Sequence, residues 1–175
     1  MYIIFNKCTN TCQFIIKKIY LWLAKYMSWI ILQIMNWFNT IIEDGKTKVF
    51  DPVRKIYCAL TPEEKVRQMT LHYLVEKKNI PAGLIAVEYS IKVNTLAKRC
   101  DIVIFNRQAK PIMIVECKAE SVPITQKVLD QAIRYYSGLN VNYILLTNGK
   151  TMYCYHIDIE NNKIEALREI PEIYG

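Results

Sequence analysis

Three charged residues at the ends of two short apolar runs have the types and spacing to bind a metal ion. Asp101 lies in the run CDIVIF, and Glu116 and Lys118 end the run PIMIVECK. Both runs are rich in β-branched residues and the link between them is polar, which predicts two neighbouring strands joined by a tight turn. Because side chains alternate along a strand, we expect Glu116 and Lys118 on one face and Cys117 on the other.

Two carboxylates beside one lysine would form a site for Mg²⁺. This ion takes few protein oxygens and keeps several waters, so Asp101 and Glu116 would suffice as its protein anchors. Lys118 could then position a water or neutralise charge that develops on a phosphate. The alternative is a solvated Glu116–Lys118 pair, with Asp101 capping a turn.

These residues resemble the site of PD-(D/E)xK nucleases, in which DIVIF and IVECK supply the Asp and then the Glu-x-Lys. Upstream, TPEEKVRQ (Thr61 to Gln68) opens a helix, and downstream, QAIRY (Gln131 to Tyr135) lies in a second helix. Together they resemble the N-terminal nuclease domain of type I restriction enzyme R subunits. The small stand-alone proteins built from that domain are more similar still. The resemblance covers residues 43–158.

The resemblance implies a Mg²⁺-dependent endonuclease that hydrolyses phosphodiester bonds in DNA, with Mn²⁺ as an alternative metal. Asp101 and Glu116 would bind the ion, and the backbone carbonyl of Cys117 would be a third oxygen ligand. Lys118 would orient the attacking water or stabilise the phosphate. A glutamate on the first helix approaches the metal in this family, which suggests Glu64. Arg67, one turn on, accompanies it and is expected to contact the nucleic-acid phosphate. A capping box with Thr61 explains Glu64 equally well.

Further residues are expected at the substrate. Gln131 and Tyr135 are four apart and share a helical face. In the resembled family they line the active site and touch DNA or orient the catalytic lysine; a surface pair is the alternative. Lys98 and Arg99 precede the Asp101 strand and could bind a phosphate, although a solvated turn explains them as well.

Charge and cysteine content narrow the class of protein. The net charge is +7, but residues 61–175 carry fifteen basic against thirteen acidic residues, so charge alone does not indicate DNA. The six cysteines form no C-x-x-C pair, which favours reduced thiols in a cytoplasmic protein.

The order of elements predicts an α/β protein with a restriction-endonuclease-like αβββαβ core, a central mixed sheet flanked by helices. Residues 49–57 are expected to be a lead-in with short extended pieces. The core elements are expected at 61–78 (helix), 85–93, 101–105 and 112–116 (strands), 125–137 (helix), and 141–146 and 151–157 (strands). We expect the nuclease-like domain to span residues 43–175.

Residues 1–42 are predicted to be an apolar helical extension. Residues 14–38 are apolar and aromatic, and three lysines interrupt them. Three interpretations are open: a helix packed on the core or a partner, a helix on a membrane surface, or a segment before the natural start at Met35. Membrane contact is the least favoured.

Two other functions are weighed against the nuclease. One is a non-cleaving nucleic-acid-binding or assembly module with the same fold, and the other is a membrane-associated interaction protein. The chain has no phosphate-binding loop of the G-x-x-x-x-G-K-[ST] type, so a helicase or restriction-modification partner would be a separate protein.

Overall fold

A six-stranded sheet and a smaller three-stranded sheet make up most of the structure. The computed structural model describes residues 38–172 except 94, 95 and 162, and for residues 92, 93, 96, 97 and 135–137 it describes the backbone alone. The strands are β1 (Thr40–Glu43), β2 (Lys46–Asp51), β3 (Ile56–Ala59), β4 (Ile85–Val93), β5 (Leu96–Phe105), β6 (Pro111–Cys117), β7 (Tyr143–Thr147), β8 (Met152–Asp158) and β9 (Lys163–Leu167). The α-helices are α1 (Pro62–His72) and α2 (Gln126–Tyr136). Short helical turns lie at Tyr73–Lys77, Ala82–Leu84 and Ser137–Leu139.

The large sheet has the order β4-β5-β6-β7-β8-β9. Its β6–β7 pair is parallel and its other pairs are antiparallel. Helix α2 provides the crossover between the parallel strands, as a parallel connection requires. The prediction of an α/β fold with a central mixed sheet is therefore confirmed.

The two helices cover the sheet. Leu129 and Ala132 of α2 pack in a buried cluster with Val103, Ile114 and Ile144 from the central strands. Helix α1 packs against β6, where Thr70 lies beside the buried thiol of Cys117. Because both faces are covered, β6 and β7 are almost continuously apolar rather than alternating.

Helix α1 begins as its sequence predicts. The side chain of Thr61 accepts a hydrogen bond from the backbone N–H of Glu64 at 3.1 Å, and Pro62 occupies the first helical position. The second half of the predicted capping box is absent, because the N–H of Thr61 donates to the carbonyl of Ala59 instead. The Glu64 carboxylate is thereby left for other partners.

The three-stranded sheet was not predicted. Its order is β1-β2-β3, and Asp44-Gly45 forms the β1–β2 turn with positive φ at both residues. An Asp-Gly pair between two extended runs strongly favours a hairpin. This signal was missed because residues 40–42 were assigned to the apolar segment that precedes them. Residues 40–42 therefore belong to a strand, so the predicted helical extension does not continue to residue 42. Residues 1–37 lie outside the described residues.

Two further elements differ from expectation. Strand β5 begins at Leu96 rather than Asp101, because pairing with β4 from Val93↔Leu96 onward extends the hairpin through polar residues. Strand β9 was also missed, since its residues are largely exposed and lack an apolar face. Among the described residues, no helix is both long and apolar enough to cross a bilayer.

Candidate active site

Asp101 lies where strands β5 and β6 stop pairing. Their ladder runs from Phe105↔Pro111 to Ile102↔Val115. One residue further, the Asp101 Oδ2 atom accepts the backbone N–H of Cys117 at 2.7 Å. A side chain thus satisfies a donor that the ladder leaves unpaired, and this bond fixes the carboxylate beside the end of β6.

Glu116 and Lys118 lie on the same side of β6, as alternation predicts. The Lys118 Nζ donates to Glu116 Oε1 at 2.6 Å, and the Lys118 backbone N–H donates to the Thr147 carbonyl at 2.8 Å. Burial lowers the pKa of Lys118, but the hydrogen bond and charge of Glu116, with Glu63 and Asp101, outweigh burial and raise that pKa above its ordinary value. Lys118 is therefore a fixed cation and not a proton acceptor at neutral pH.

Glu63, in the first turn of α1, interacts electrostatically with Asp101, Glu116 and Lys118. Burial and the charge of Asp101 raise the pKa of Glu63, and Lys118 and Arg67 oppose that rise. Glu63 lies four residues before Arg67, so both side chains lie on one face of α1. That spacing is the sequence signal that could have identified it.

Glu64 lies on the other side of Arg67, in a buried network. Its carboxylate accepts hydrogen bonds from Arg67, from Gln68 at 2.9 Å and from Arg54 at 3.1 Å. The structure therefore holds the Glu64 carboxylate with two arginines and a glutamine.

Arg67 joins the network to the site. Its guanidinium contacts Asp101 Oδ1 at 2.8 Å and also pairs with Glu64. Only 6% of Arg67 is exposed, so the phosphate contact expected of it is not available in this arrangement. Burial lowers the pKa of the Arg67 guanidinium, but the charges of Asp101 and Glu64 outweigh burial and raise that pKa above its ordinary value.

The other predicted substrate residues lie on α2 and β5. Gln131 is exposed on α2. The side chain of Tyr135 lies outside the description. Lys98 and Arg99 lie within β5, and Arg99 is exposed and pairs with Glu88 at 3.5 Å.

Asp51 anchors the buried network on the side of the small sheet. It is fully buried and accepts the backbone N–H groups of Val53 and Arg54, each at 2.8 Å. It also accepts the side chains of Arg54 at 2.7 Å and Gln68 at 3.0 Å. Every Asp51 oxygen is thereby used, and two of the bonds come from a guanidinium and an amide.

The ligand atoms of Asp51, Cys58 and Glu64 lie within 4.8 Å of one another, a spacing that a metal ion could bridge. The Arg54 guanidinium contacts all three groups, so a cation already neutralises them. Burial raises the pKa of Cys58 to about 11, which keeps the thiol protonated. A metal ion at this group would have to compete with Arg54 and displace the thiol proton.

The carboxylates of Asp101 and Glu116, with Glu63 on α1, are the other candidate ligands for a divalent cation. They are hard oxygen donors, and each is half-buried. The charges of Asp101 and Glu116 raise the pKa of Glu63, and those of Lys118 and Arg67 lower it. The thiol of Cys117, the residue after Glu116, stays neutral, because burial and the charge of Asp101 raise its pKa well above the ordinary value.

A groove of about 440 Å³ is lined by residues that lie close in sequence to Glu63 and Lys118. It is lined by the start of α1, at Thr61 and Pro62, and by Glu120 and Ser121 after β6. Lys65 and Glu120 pair across it at 3.4 Å.

The sequence profile of type I restriction enzyme R protein N termini (HSDR_N) matches residues 62–171. The chain belongs to this family. The chain therefore contains a restriction-endonuclease-like nuclease domain, and Asp101, Glu116 and Lys118 lie inside the matched region.

Two solved structures are similar to this R-protein N-terminal domain. One is a fragment assigned as an HsdR subunit of a type I restriction enzyme from Vibrio vulnificus, with 20% identity and a TM-score of 0.45. The match covers 62% of this chain and 23% of that chain. The other is a protein from Anabaena variabilis assigned as a nuclease, with 11% identity, a TM-score of 0.42, and 74% and 76% coverage. No curated protein sequence matches the chain significantly.

Proposed function

We propose that this domain is a Mg²⁺-dependent nuclease that hydrolyses phosphodiester bonds in DNA. The observation that carries the proposal is the arrangement at the end of β6, where Lys118 donates to Glu116 and the next backbone N–H, that of Cys117, donates to Asp101. Carboxylates alone occur on many surfaces, but a half-buried set around a fixed cation is suited to a phosphate and its counter-ion.

Asp101 and Glu116 would hold the ion, with Glu63 as a third carboxylate and the Cys117 carbonyl as a further oxygen. When bound, Mg²⁺ would supply a water of lowered pKa and neutralise phosphate charge. Mn²⁺ has the same oxygen preference and is a suitable substitute.

Lys118 has the role of a positioned cation. Its ammonium donates to Glu116, so it remains within reach of any group that Glu116 orients. The hydrogen bond and charge of Glu116 raise its pKa, so Lys118 is a cation at neutral pH in the metal-free protein. It would orient the water and stabilise negative charge that builds on the phosphate.

The family places the domain in a restriction-modification context. DNA is the substrate that this context favours, with a helicase or modification subunit as a separate partner and the cytoplasm as the compartment. The exposed Arg99, the adjacent Lys98 and the exposed Gln131 would contact the substrate backbone if DNA crosses this end of the sheet.

The test is a plasmid nicking assay with Mg²⁺ or Mn²⁺. Wild type should nick DNA, Glu116→Gln should not, and Glu165→Gln, which alters an exposed acid on β9, should behave as wild type. The proposal would be overturned if Glu116→Gln nicks DNA at the wild-type rate. It would also be overturned if wild type nicks no DNA with Mg²⁺ and none with Mn²⁺.

One observation favours a second candidate, a non-cleaving nucleic-acid-binding or assembly module. Arg67 and Lys118 already neutralise Asp101 and Glu116 internally. Filter binding of labelled DNA without metal separates the two: a module would bind DNA equally well with and without Mg²⁺ and would release no product.

A further inference from the structure

Glu88 occupies an unusual backbone position directly across from Asp101. The β4–β5 register pairs Val87 with Ile102 and Tyr89 with Cys100, so Glu88 faces Asp101 between them. Its φ is +52°, a left-handed conformation that a β-strand glutamate seldom adopts. Such outliers are retained where the surrounding structure over-determines them, often at functional sites.

The Glu88 carboxylate is shared among three arginines. Its Oε2 contacts Arg54 at 2.8 Å, and its Oε1 contacts Arg67 and Arg99, each at 3.5 Å. Arg67 in turn contacts Asp101 at 2.8 Å. Arg67 therefore links Glu88 to Asp101, which is a proposed metal ligand.

Arg67 is not locked by a complete set of partners. Its Nε atom is buried and has no hydrogen-bond partner within the described residues. The position of its guanidinium is therefore a balance among Glu64, Glu88 and Asp101. Any acid removed from that balance leaves Arg67 bound more strongly by those that remain.

We propose that Glu88 is a positioning residue that limits how strongly Arg67 competes with the metal ion for Asp101. This inference rests on the proposed function, since it concerns the same metal. With Glu88 present, the Arg67 charge is divided among three acids and Asp101 keeps part of its negative charge for the ion. Without it, Arg67 neutralises Asp101 more fully and the local negative potential falls, so both effects weaken metal binding.

The experiment is a titration of the whole chain with Mg²⁺ and with Mn²⁺ by calorimetry, beside the metal dependence of DNA nicking. Removing a residue that orients a metal ligand typically weakens metal affinity by 10-fold or more, so we expect about a 10-fold loss for Glu88→Gln. Glu88→Asp keeps the charge and should recover most of the affinity. Saturating metal should return nicking by Glu88→Gln close to the wild-type rate, which a merely structural defect would not allow.

Two controls separate the carboxylate from the backbone. Glu88→Gly relieves the positive φ and also removes the carboxylate, so it should lose affinity like Glu88→Gln without losing stability. Ala109→Gly likewise places glycine at a positive φ, here +58° in an exposed turn away from the site. It should leave the affinity for the metal ion unchanged. Glu165→Gln tests whether any lost negative charge has the same effect.

The outcomes distinguish this inference from the nuclease proposal. Wild type that binds Mg²⁺ but cleaves no DNA overturns the nuclease proposal, and the calorimetric comparison still decides the role of Glu88. Unchanged affinity in Glu88→Gln, an equal loss in Glu165→Gln, or a nicking defect that excess metal does not repair overturns the role of Glu88. Wild type that binds neither ion overturns both.

Discussion

The backbone N–H of Cys117 donates to the carboxylate of Asp101 at the point where the β5–β6 ladder ends. The Asp101 carboxylate accepts the Cys117 N–H at 2.7 Å and the Arg67 guanidinium at 2.8 Å. Glu116, by contrast, is bound by the ammonium of Lys118. The two candidate metal ligands are therefore bound by different groups: Asp101 accepts from a backbone N–H and a guanidinium, and Glu116 accepts from an ammonium.

The first prediction follows from that difference. Asp101→Asn and Glu116→Gln should each abolish Mg²⁺ binding, because too few oxygen ligands remain. Asp101→Asn should also cost about 1–3 kcal/mol of stability, because its NH₂ group must face either the Cys117 N–H or Arg67. Glu116→Gln should cost less. Calorimetry and urea denaturation of both variants measure the two effects, and equal stability losses would contradict the assignment.

Lys118→Ala should reduce turnover by about 10²–10³, the usual cost of one positioned electrostatic donor, and leave DNA affinity nearly unchanged. Lys118→Arg should recover part of the rate. Lys163→Ala, an exposed lysine on β9, is the control. A passive phosphate contact would show the reverse pattern, with weaker binding and a shallower salt dependence in Lys118→Ala.

Glu63 gives a prediction in pH. Its folded-state pKa is raised above the ordinary value of 4.5, so the folded protein binds this proton more tightly than the unfolded chain. The stability that this group contributes is present below pH 4.5 and is lost as the pH rises through the folded pKa. Without divalent metal, Glu63→Gln should therefore raise the Tm at pH 7 and not at pH 4.

The control has the opposite sign. A hydrogen bond from Lys163 lowers the pKa of Glu165, so Glu165→Gln should not raise the Tm at pH 7. Adding Mg²⁺ should stabilise wild type more than Glu63→Gln if Glu63 shares the ion. Equal stabilisation of the two by Mg²⁺ would remove Glu63 from the metal site.

Asp51→Asn should cost about 3 kcal/mol, because the fully buried Asp51 loses its charge and the partly buried Arg54 loses its main counter-charge. Glu43→Gln removes the partner of Lys48 in an exposed pair and should cost less than about 1 kcal/mol. Denaturant unfolding at neutral pH measures both. Comparable losses would mean that the Asp51 network contributes little to stability.

The sequence predicted the parts of this structure that depend on local pattern. The cap at Thr61, the β5–β6 hairpin and the shared face of Glu116 and Lys118 follow from propensity and alternation alone. The roles of Glu63 and Glu64 could not be separated, because adjacent residues on a helix differ by its rotation against the sheet. Glu88 gave no signal, since its importance comes from an uncommon φ and from arginines distant in sequence.

The small sheet has a consequence for any attempt to shorten or transplant this domain. The family profile begins at residue 62, after β3, so a boundary drawn there discards Asp51 and Arg54. Glu64 and Glu88 would then face each other across the gap that Arg54 fills, and Arg67 would be drawn into neutralising them. A fragment with every motif residue intact would thus have a weakened Arg67–Asp101 contact at the proposed metal site, because the electrostatic unit of this protein is larger than its recognisable one.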